Sequence, residues 1–428
     1  MTDRSPAGSF AKPLPLAGVK VVDFGHTVMG PSCAMILADL GADVVKVEPV
    51  PNGEPTRHLK GFGTGYFGYF NRNKRSVAVD LKSPEGREIA RRLVAETDVL
   101  VENFAPGTMD RLGLGAETLA GLNPRLIYAS LKGFLDGPYA GRLALDEVVQ
   151  MMTGLAYMTG PSGRPLRAGT SVVDITGGMF AVIAILVALR ERERTGRGQT
   201  VESALFETTV FLMGQHLCYA AQSDAPIPPM PERVSAWAVY ETFHTADGRP
   251  IFVGITTDSH WERFCATIDR PDLRDDPQFR SNNDRIAARP RLLPLLTALF
   301  GGLSMEEAVS VCERARIPFA PIARPEDLFD DPHLRATGGL MPTTLPNGVR
   351  TALPRLPIHV ADADLAIRCD PPRVGQDTRA VLAEAGYDPA VVERLVEAGI
   401  IVADGAIDNS TDGATDRAPD KNHKRLAG

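Results

Sequence analysis

The chain of 428 residues is short of several things, and each shortage removes a class of function. Its five cysteines, Cys33, Cys218, Cys265, Cys312 and Cys369, are odd in number and widely spaced, which suits neither a disulfide framework nor zinc. They are expected to be buried thiols in a reducing cytoplasm, and no metal site is expected. Aromatics make up only 6% of the residues, no basic cluster is interleaved with them, and the net charge is −7, so nucleic acid is not an expected partner. The longest apolar run, Met179 to Leu189, falls well short of the roughly 20 residues that span a bilayer and is expected to be a buried core helix. Met1 to Pro15 is polar and lacks the charged start and apolar centre of an export signal, so neither membrane nor export is expected.

What is present is an alternation of strand and helix patterns. Gly18 to Phe24 reads as a strand, Pro31 to Leu40 as a helix closed by Gly41, and Asp43 to Glu48 as a second strand. Further strands are expected at Ser76 to Leu81, Val99 to Val101 and Leu126 to Ser130, with a helix over Pro84 to Glu96. Such alternation implies a parallel sheet covered by helices. The turn after the first strand, Gly25-His26-Thr27-Val28-Met29-Gly30-Pro31, lacks the Gly-x-Gly-x-x-Gly that brings a pyrophosphate onto the backbone, which argues against a nicotinamide dehydrogenase.

At 44% hydrophobic residues the chain can bury cores for two domains. Composition changes at the proline-rich stretch Ala225 to Pro231, after which Trp237 to His244 and Pro250 to Gly254 read as strands around the Asp247-Gly248 turn. A large α/β domain is expected from 16–222 plus 325–402, a smaller mixed α+β domain from 223–324, and flexible tails at 1–15 and 403–428, the last too poor in large apolar residues to order itself.

One acidic residue stands out. Asp174 lies in Ala168-Gly169-Thr170-Ser171-Val172-Val173-Asp174-Ile175-Thr176-Gly177-Gly178, ahead of the apolar helix that ends in Arg190 to Arg194. A carboxylate there faces partial burial with no basic neighbour in sequence, which is costly. With the helix beginning just after the Asp174 to Gly178 turn, its free amides would favour an anion, and the two glycines would let another group approach. Asp174 is then either a nucleophile or an N-cap holding the amides of Thr176 or Gly177.

Several ordered blocks resemble the class III coenzyme A transferases, which include the carnitine and bile-acid coenzyme A transferases. They are Asp23-Phe24-Gly25-His26 with Gly30-Pro31, Leu37 to Glu48, Asn71-Arg72-Asn73-Lys74-Arg75-Ser76, Glu102 to Gly107 with Asp110 to Leu114, Asn123 to Tyr128, and Thr195 to Gln199. The resemblance covers roughly Leu16 to Ile401. It implies a Rossmann-like large domain, a smaller middle domain and an interlocked homodimer, with acyl-coenzyme A and a small carboxylic or dicarboxylic acid as substrates, succinyl-coenzyme A among the possible donors. No permanently bound cofactor is implied. The family's catalytic aspartate falls on Asp174, which would attack the donor thioester, pass through an anhydride and carry coenzyme A as an aspartyl thioester.

Positions matching coenzyme contacts are Val28, Met29, Lys82, Asn103, Phe104, Ala105, Arg111, Ala144 and Glu147. Val28 and Met29 stand where formyl-transferring relatives carry glutamine and alanine, Pro49 replaces a phosphate-contacting arginine, and only Gly254 remains of those relatives' glycine-rich middle-domain loop. Arg164 and Arg167 are candidates for a second carboxylate. Two alternatives remain: a racemase-like enzyme, disfavoured because Leu145 occupies the position of its proton-moving histidine, and a non-catalytic acyl-coenzyme A binding protein, disfavoured because Asp174, Gly177 and Gly178 are all retained. His26 is expected to be structural.

Overall fold

The computed structural model describes residues 13–233 and 236–403; the expected tails beyond them, 1–12 and 404–428, lie outside the described residues. Pro13 to Pro15 do not belong to a tail. Leu14 packs so closely on Gly41 that a Cβ there would stand 2.4 Å from the Leu14 Cβ, and Leu16 N donates to Leu40 O at 2.9 Å.

The described residues form two compact units, one up to Pro231 and again from Gly338, the other Glu232–Thr337. Both junctions fall later than the expected 222/223 and 324/325. The proline-rich stretch stays with the first unit, where Tyr157 Oη donates to Ile227 O at 3.0 Å. The segment after Arg324 belongs to the second and forms two helical turns, Pro325–Asp330 and Pro332–Thr337.

In the first unit β1 (Lys20–Asp23), β2 (Asp43–Glu48), β3 (Lys74–Val79), β4 (Val99–Glu102), β5 (Ile127–Lys132) and β6 (Thr200–Ala204) are parallel, in the order β3-β2-β1-β4-β5-β6. This is the Rossmann strand order, with its reversal between β1 and β4. The central strands are apolar on both faces because helices cover both; Val99, Leu100 and Val101 are fully buried. β3 starts and ends two residues before the expected Ser76 to Leu81. Its first residue is a lysine, which sequence patterning assigns to solvent, yet Lys74 is buried against Asp23 at 2.8 Å.

The second unit is built on β7 (Val239–His244), β8 (Pro250–Ile255) and β9 (Phe319–Pro321), an antiparallel sheet around its own core containing Trp261, Phe264, Phe279 and Phe300. The chain then forms the hairpin β10 (Leu340–Thr344) and β11 (Arg350–Pro354), in spite of Pro342, Pro346 and Pro354. It ends with β12 (Ile401–Val402), antiparallel on the outer edge of β3.

The helices of the first unit include α1 (Met29–Asp39), α2 (Thr64–Phe70), α3 (Pro84–Ala95), α4 (Asp146–Met152) and α5 (Val172–Thr195), of which α1, α2, α4 and α5 place the site. α5 corrects the sequence reading. It starts before Asp174 rather than after Gly178, its N-cap is Ser171, and both glycines are helical. They serve close packing on α1: a Cβ on Gly178 would stand 2.2 Å from Ser32 Oγ, and one on Gly177 2.6 Å from Met29 Cε. By length and composition α5 could also cross a membrane, a test that core helices pass too. One face packs into the core through Ala181, Val182, Ile185 and Ala188. The other leaves Met179, Ile183 and Val187 at least half exposed, against the expectation of a fully buried helix. Of the cysteines, Cys33, Cys265 and Cys312 are buried, whereas Cys218 and Cys369 are exposed, Cys218 because its helix Gly214–Ala221 buries no residue.

Candidate functional site

Open parallel sheets leave a crevice beyond the carboxyl ends of their strands where the strand order reverses. Here that crevice is a cavity of about 220 Å³. The loop after β1 contributes His26 to Met29, the loop after β4 Asn103 to Pro106, and the end of β5 Lys132 and Gly133. Ala144 and Asp174 complete the wall.

The loop after β1 is held by buried charge. Gly25 N donates to Asp23 Oδ1 at 2.7 Å, Lys46 Nζ to Gly25 O at 2.8 Å, and Thr27 N to Glu54 Oε1 at 2.8 Å. Asn103 clamps His26, accepting from its N at 2.8 Å and donating to its O at 3.0 Å. Thr27 is thereby held at φ 66°, a left-handed conformation that costs a β-branched residue energy. Beneath the loop, Asp23 pairs with Lys74, Lys46 with Glu54 at 2.6 Å, and Glu48 with Arg57 at 2.6 Å. Burial pushes the Asp23 carboxyl up, but Lys74 and Lys46 outweigh it and hold the group below its ordinary value. Burial likewise pushes Glu48 up, and Arg57 and Lys46 bring it down. His26 stacks on Phe104 at 5.3 Å, its Nδ1 is buried without a hydrogen-bond partner, and burial lowers its pKa. A neutral, structural imidazole follows.

The α5 terminus is arranged differently. Its first-turn amides are held from a distance: Val173 N donates to Asp146 Oδ2 at 2.8 Å and Asp174 N to the same oxygen at 3.1 Å. Asp146, at the start of α4, receives a hydrogen bond from Gln150 Nε2 at 2.5 Å, and Gln150 Oε1 accepts from Ala168 N at 2.9 Å. Asp174 is therefore not the cap of its own helix; a second carboxylate supplies that function. Burial pushes the Asp174 carboxyl up to about 7, Asp146 adds to the push, and Arg167 opposes it. Among the described residues no group donates a hydrogen bond to that carboxyl, which faces the cavity. A carboxylate so placed is poorly solvated and basic enough to act as base or nucleophile near neutral pH.

Of the residues singled out in the sequence, Val28, Met29, Asn103, Phe104, Ala105 and Ala144 line this cavity with Asp174. Lys82, Arg111 and Glu147 do not. Lys82 follows β3 with its N on Asp80 Oδ1, Arg111 donates to Thr108 Oγ1 at 2.8 Å, and Glu147 faces Arg167 at 3.5 Å. Sequence reasoning missed Asp146 as the cap and Arg142 as a lining cation. Asp146 directly follows Leu145, but nothing in the sequence links it to Val173 in the first turn of α5, 27 residues on. Among the described residues no cluster of three or more His, Cys, Asp or Glu is placed to hold a metal.

A Rossmann-ordered sheet with a small cavity at its strand-order reversal, no phosphate loop and an unpaired carboxylate facing that cavity defines an α/β protein whose site is built for carboxylate chemistry. The chain belongs to CoA-transferase family III, whose profile matches residues 16–378. It is 36% identical, over 90% of this chain and 88% of the relative, to an acyl-CoA transferase of Fusarium pseudograminearum. Identity to the mouse succinyl-CoA:glutarate CoA-transferase is 32%, covering 90% of each chain. Its fold matches the crystal structure of a CAIB/BAIF family protein from Brucella suis with a TM-score of 0.78 at 34% identity, covering 87% of this chain and all of that one.

Proposed function

We propose that the protein moves coenzyme A from an acyl-coenzyme A donor, succinyl-coenzyme A being the leading candidate, to a small carboxylic or dicarboxylic acid, with Asp174 as the nucleophile. The observation that carries this reading is the Asp174 carboxyl itself: half-buried, facing the cavity, without a hydrogen-bond donor and raised to about 7.

In the proposed reaction the ionised Asp174 attacks the donor's thioester carbonyl. The C–S bond breaks, coenzyme A leaves as thiolate, and a mixed anhydride forms. The thiolate then attacks the aspartyl carbonyl, releasing the donor acid and leaving coenzyme A as an aspartyl thioester. The acceptor carboxylate attacks that thioester, breaking its C–S bond to expel the thiolate and forming a second mixed anhydride. Attack of the thiolate on the acceptor's carbonyl yields the new thioester and restores the Asp174 carboxylate. Electrons and protons balance without a redox partner.

A cavity of about 220 Å³ is the size of a thioester end rather than of a whole coenzyme, so the nucleotide would lie outside it. Val28, Met29, Asn103, Phe104, Ala105 and Ala144 would meet the pantetheine arm, and Arg142, rather than Lys82 or Arg111, is the lining arginine nearest to serve it. Racemisation fits less well. Leu145 is mostly exposed and cannot exchange a proton, and Asp174 lacks a histidine partner.

The second part of the proposal is the interlocked homodimer, in which a copy of this chain would cover the exposed apolar face of α5, together with Phe211 and Leu217. Mass spectrometry of the protein and its Asp174→Ala variant after succinyl-coenzyme A and then hydroxylamine tests the first part. A hydroxamate on Asp174, with exchange only in the unmutated protein, is expected; exchange retained by the variant excludes Asp174 as nucleophile.

A further inference from the structure

A second cavity, of about 290 Å³, adjoins the first turn of α5. Phe62, Tyr66, Tyr69 and Phe70 form one side, and Ile175 with Arg167 the other. Val28, which lines the first cavity, packs in one cluster with Phe70, Tyr66, Tyr69 and Ile175, so this cluster is the partition between the two spaces. Asp174 lines the first cavity, and Ile175, the next residue of α5, lines the second.

We propose that the second cavity is the acceptor subsite and that Arg167 determines its specificity by taking the distal carboxylate of a dicarboxylic acid. The inference rests on the reading of Asp174 as nucleophile and names the acid it serves. Aromatic walls suit a short methylene chain, and a guanidinium holds a carboxylate by two parallel hydrogen bonds. A monocarboxylic acid would leave that cation unmatched.

Glu147 gives the second half of the argument. Its carboxylate lies 3.5 Å from the Arg167 guanidinium, with the two side chains 55% and 28% exposed, while Arg167 Nε donates to Ala168 O at 3.0 Å. A solvated pair at that distance is weak. Glu147 thus occupies the arginine as an internal carboxylate that the substrate displaces. Arg167 also opposes the upward push on the Asp174 carboxyl, so the two side chains lie in each other's field.

The test compares glutarate and valerate, five-carbon acids that differ by one terminal carboxylate. Arg167→Met should weaken glutarate binding, measured by calorimetry in the presence of coenzyme A, at least tenfold, and should raise its KM by a similar factor. Arg167→Lys should fall between. Glu147→Gln should tighten glutarate about two- to fivefold, the range expected for removing one exposed pair. At a pH well above 7, where Asp174 is ionised with or without Arg167, valerate turnover should fall far less than glutarate turnover in Arg167→Met and Arg167→Lys. Unchanged glutarate binding in Arg167→Met overturns the proposal, as does an equal loss for both acids. Because the calorimetry needs no turnover, failure to find an adduct on Asp174 in the unmutated protein would count against the nucleophile alone.

Discussion

The charges under the loop after β1 and the charge at the start of α5 are both withdrawn from water, but they are treated in opposite ways. Asp23, Lys46, Glu48, Glu54 and Lys74 are almost completely buried, and each has a counter-ion within 2.8 Å. Asp174 is half-buried, is pushed up by burial and by the Asp146 carboxylate, and receives no hydrogen bond among the described residues. The first arrangement makes a scaffold: each group has an opposite charge against it, and the backbone of a strained loop is fixed by them. On the proposed reading, the second keeps a group reactive at the expense of stability, and buried charge in this protein is structural where it is paired and reactive where it is not.

The sharpest way to break that contrast is Asp174→Asn. Coenzyme A exchange should fall by about a thousandfold or more if the carboxylate is the nucleophile, while thermal melting at pH 8 should rise. The sign follows from the raised pKa. Below the unfolded value of 3.8 both states are protonated; between there and about 7 the unfolded chain is ionised while the fold holds the neutral acid, so stability drops as pH rises. At pH 8 the full cost is present, and removing it gains about 2 kcal/mol after discounting for the water that still reaches the group. A melting temperature unchanged from pH 4 to pH 8 in both proteins would count against it.

The scaffold should respond in the other direction. Lys74→Met strands the Asp23 carboxylate and should cost about 3–5 kcal/mol in urea unfolding, much of it recovered in the Asp23→Asn, Lys74→Met double variant. A loss of under 1 kcal/mol would show that water reaches Asp23. Next in size, Gly178→Ala should cost about 1–3 kcal/mol, because its Cβ meets Ser32 Oγ at 2.2 Å and Met29 O at 2.9 Å. Chemical denaturation of that variant measures how closely α1 and α5 are pressed together.

The smallest effect sharpens the comparison. Exchange by the unmutated protein should rise with pH through about 7 as Asp174 ionises. In Asp146→Asn the midpoint should move down, since one of the two influences raising it is lost, while the amide oxygen still caps α5. A pH–rate profile of both proteins decides this; an unmoved midpoint would assign the shift to burial alone.

Much of the large unit was legible in the sequence, because parallel strands buried on both faces are written as short apolar runs between helices of ordinary period. β2 was found to the residue. β3 was displaced because Lys74 hides a charge inside a strand, and its partner Asp23 lies too far away in sequence for patterning to pair them. Asp174 stood out because a carboxylate before an apolar run is unusual. Its cap did not, since Asp146 comes from another helix and is brought there only by tertiary structure. Gly177 and Gly178 were recognised as sites of close approach, but the approaching group is α1 and not a ligand.

β12 is only two residues long, yet it carries a consequence for how the protein is made. The chain emerges from the ribosome with β1 to β6 first, and the outer edge of β3 finds its partner, Ile401 and Val402, only when almost the whole chain has been synthesised. Until then an apolar strand edge of the kind that recruits other chains is open. The second unit, drawn from one continuous segment, has no such wait and can fold while the first is still incomplete. Termination between residues 338 and 400 would therefore leave the smaller unit complete while the outer edge of β3 in the larger unit stays open to other chains.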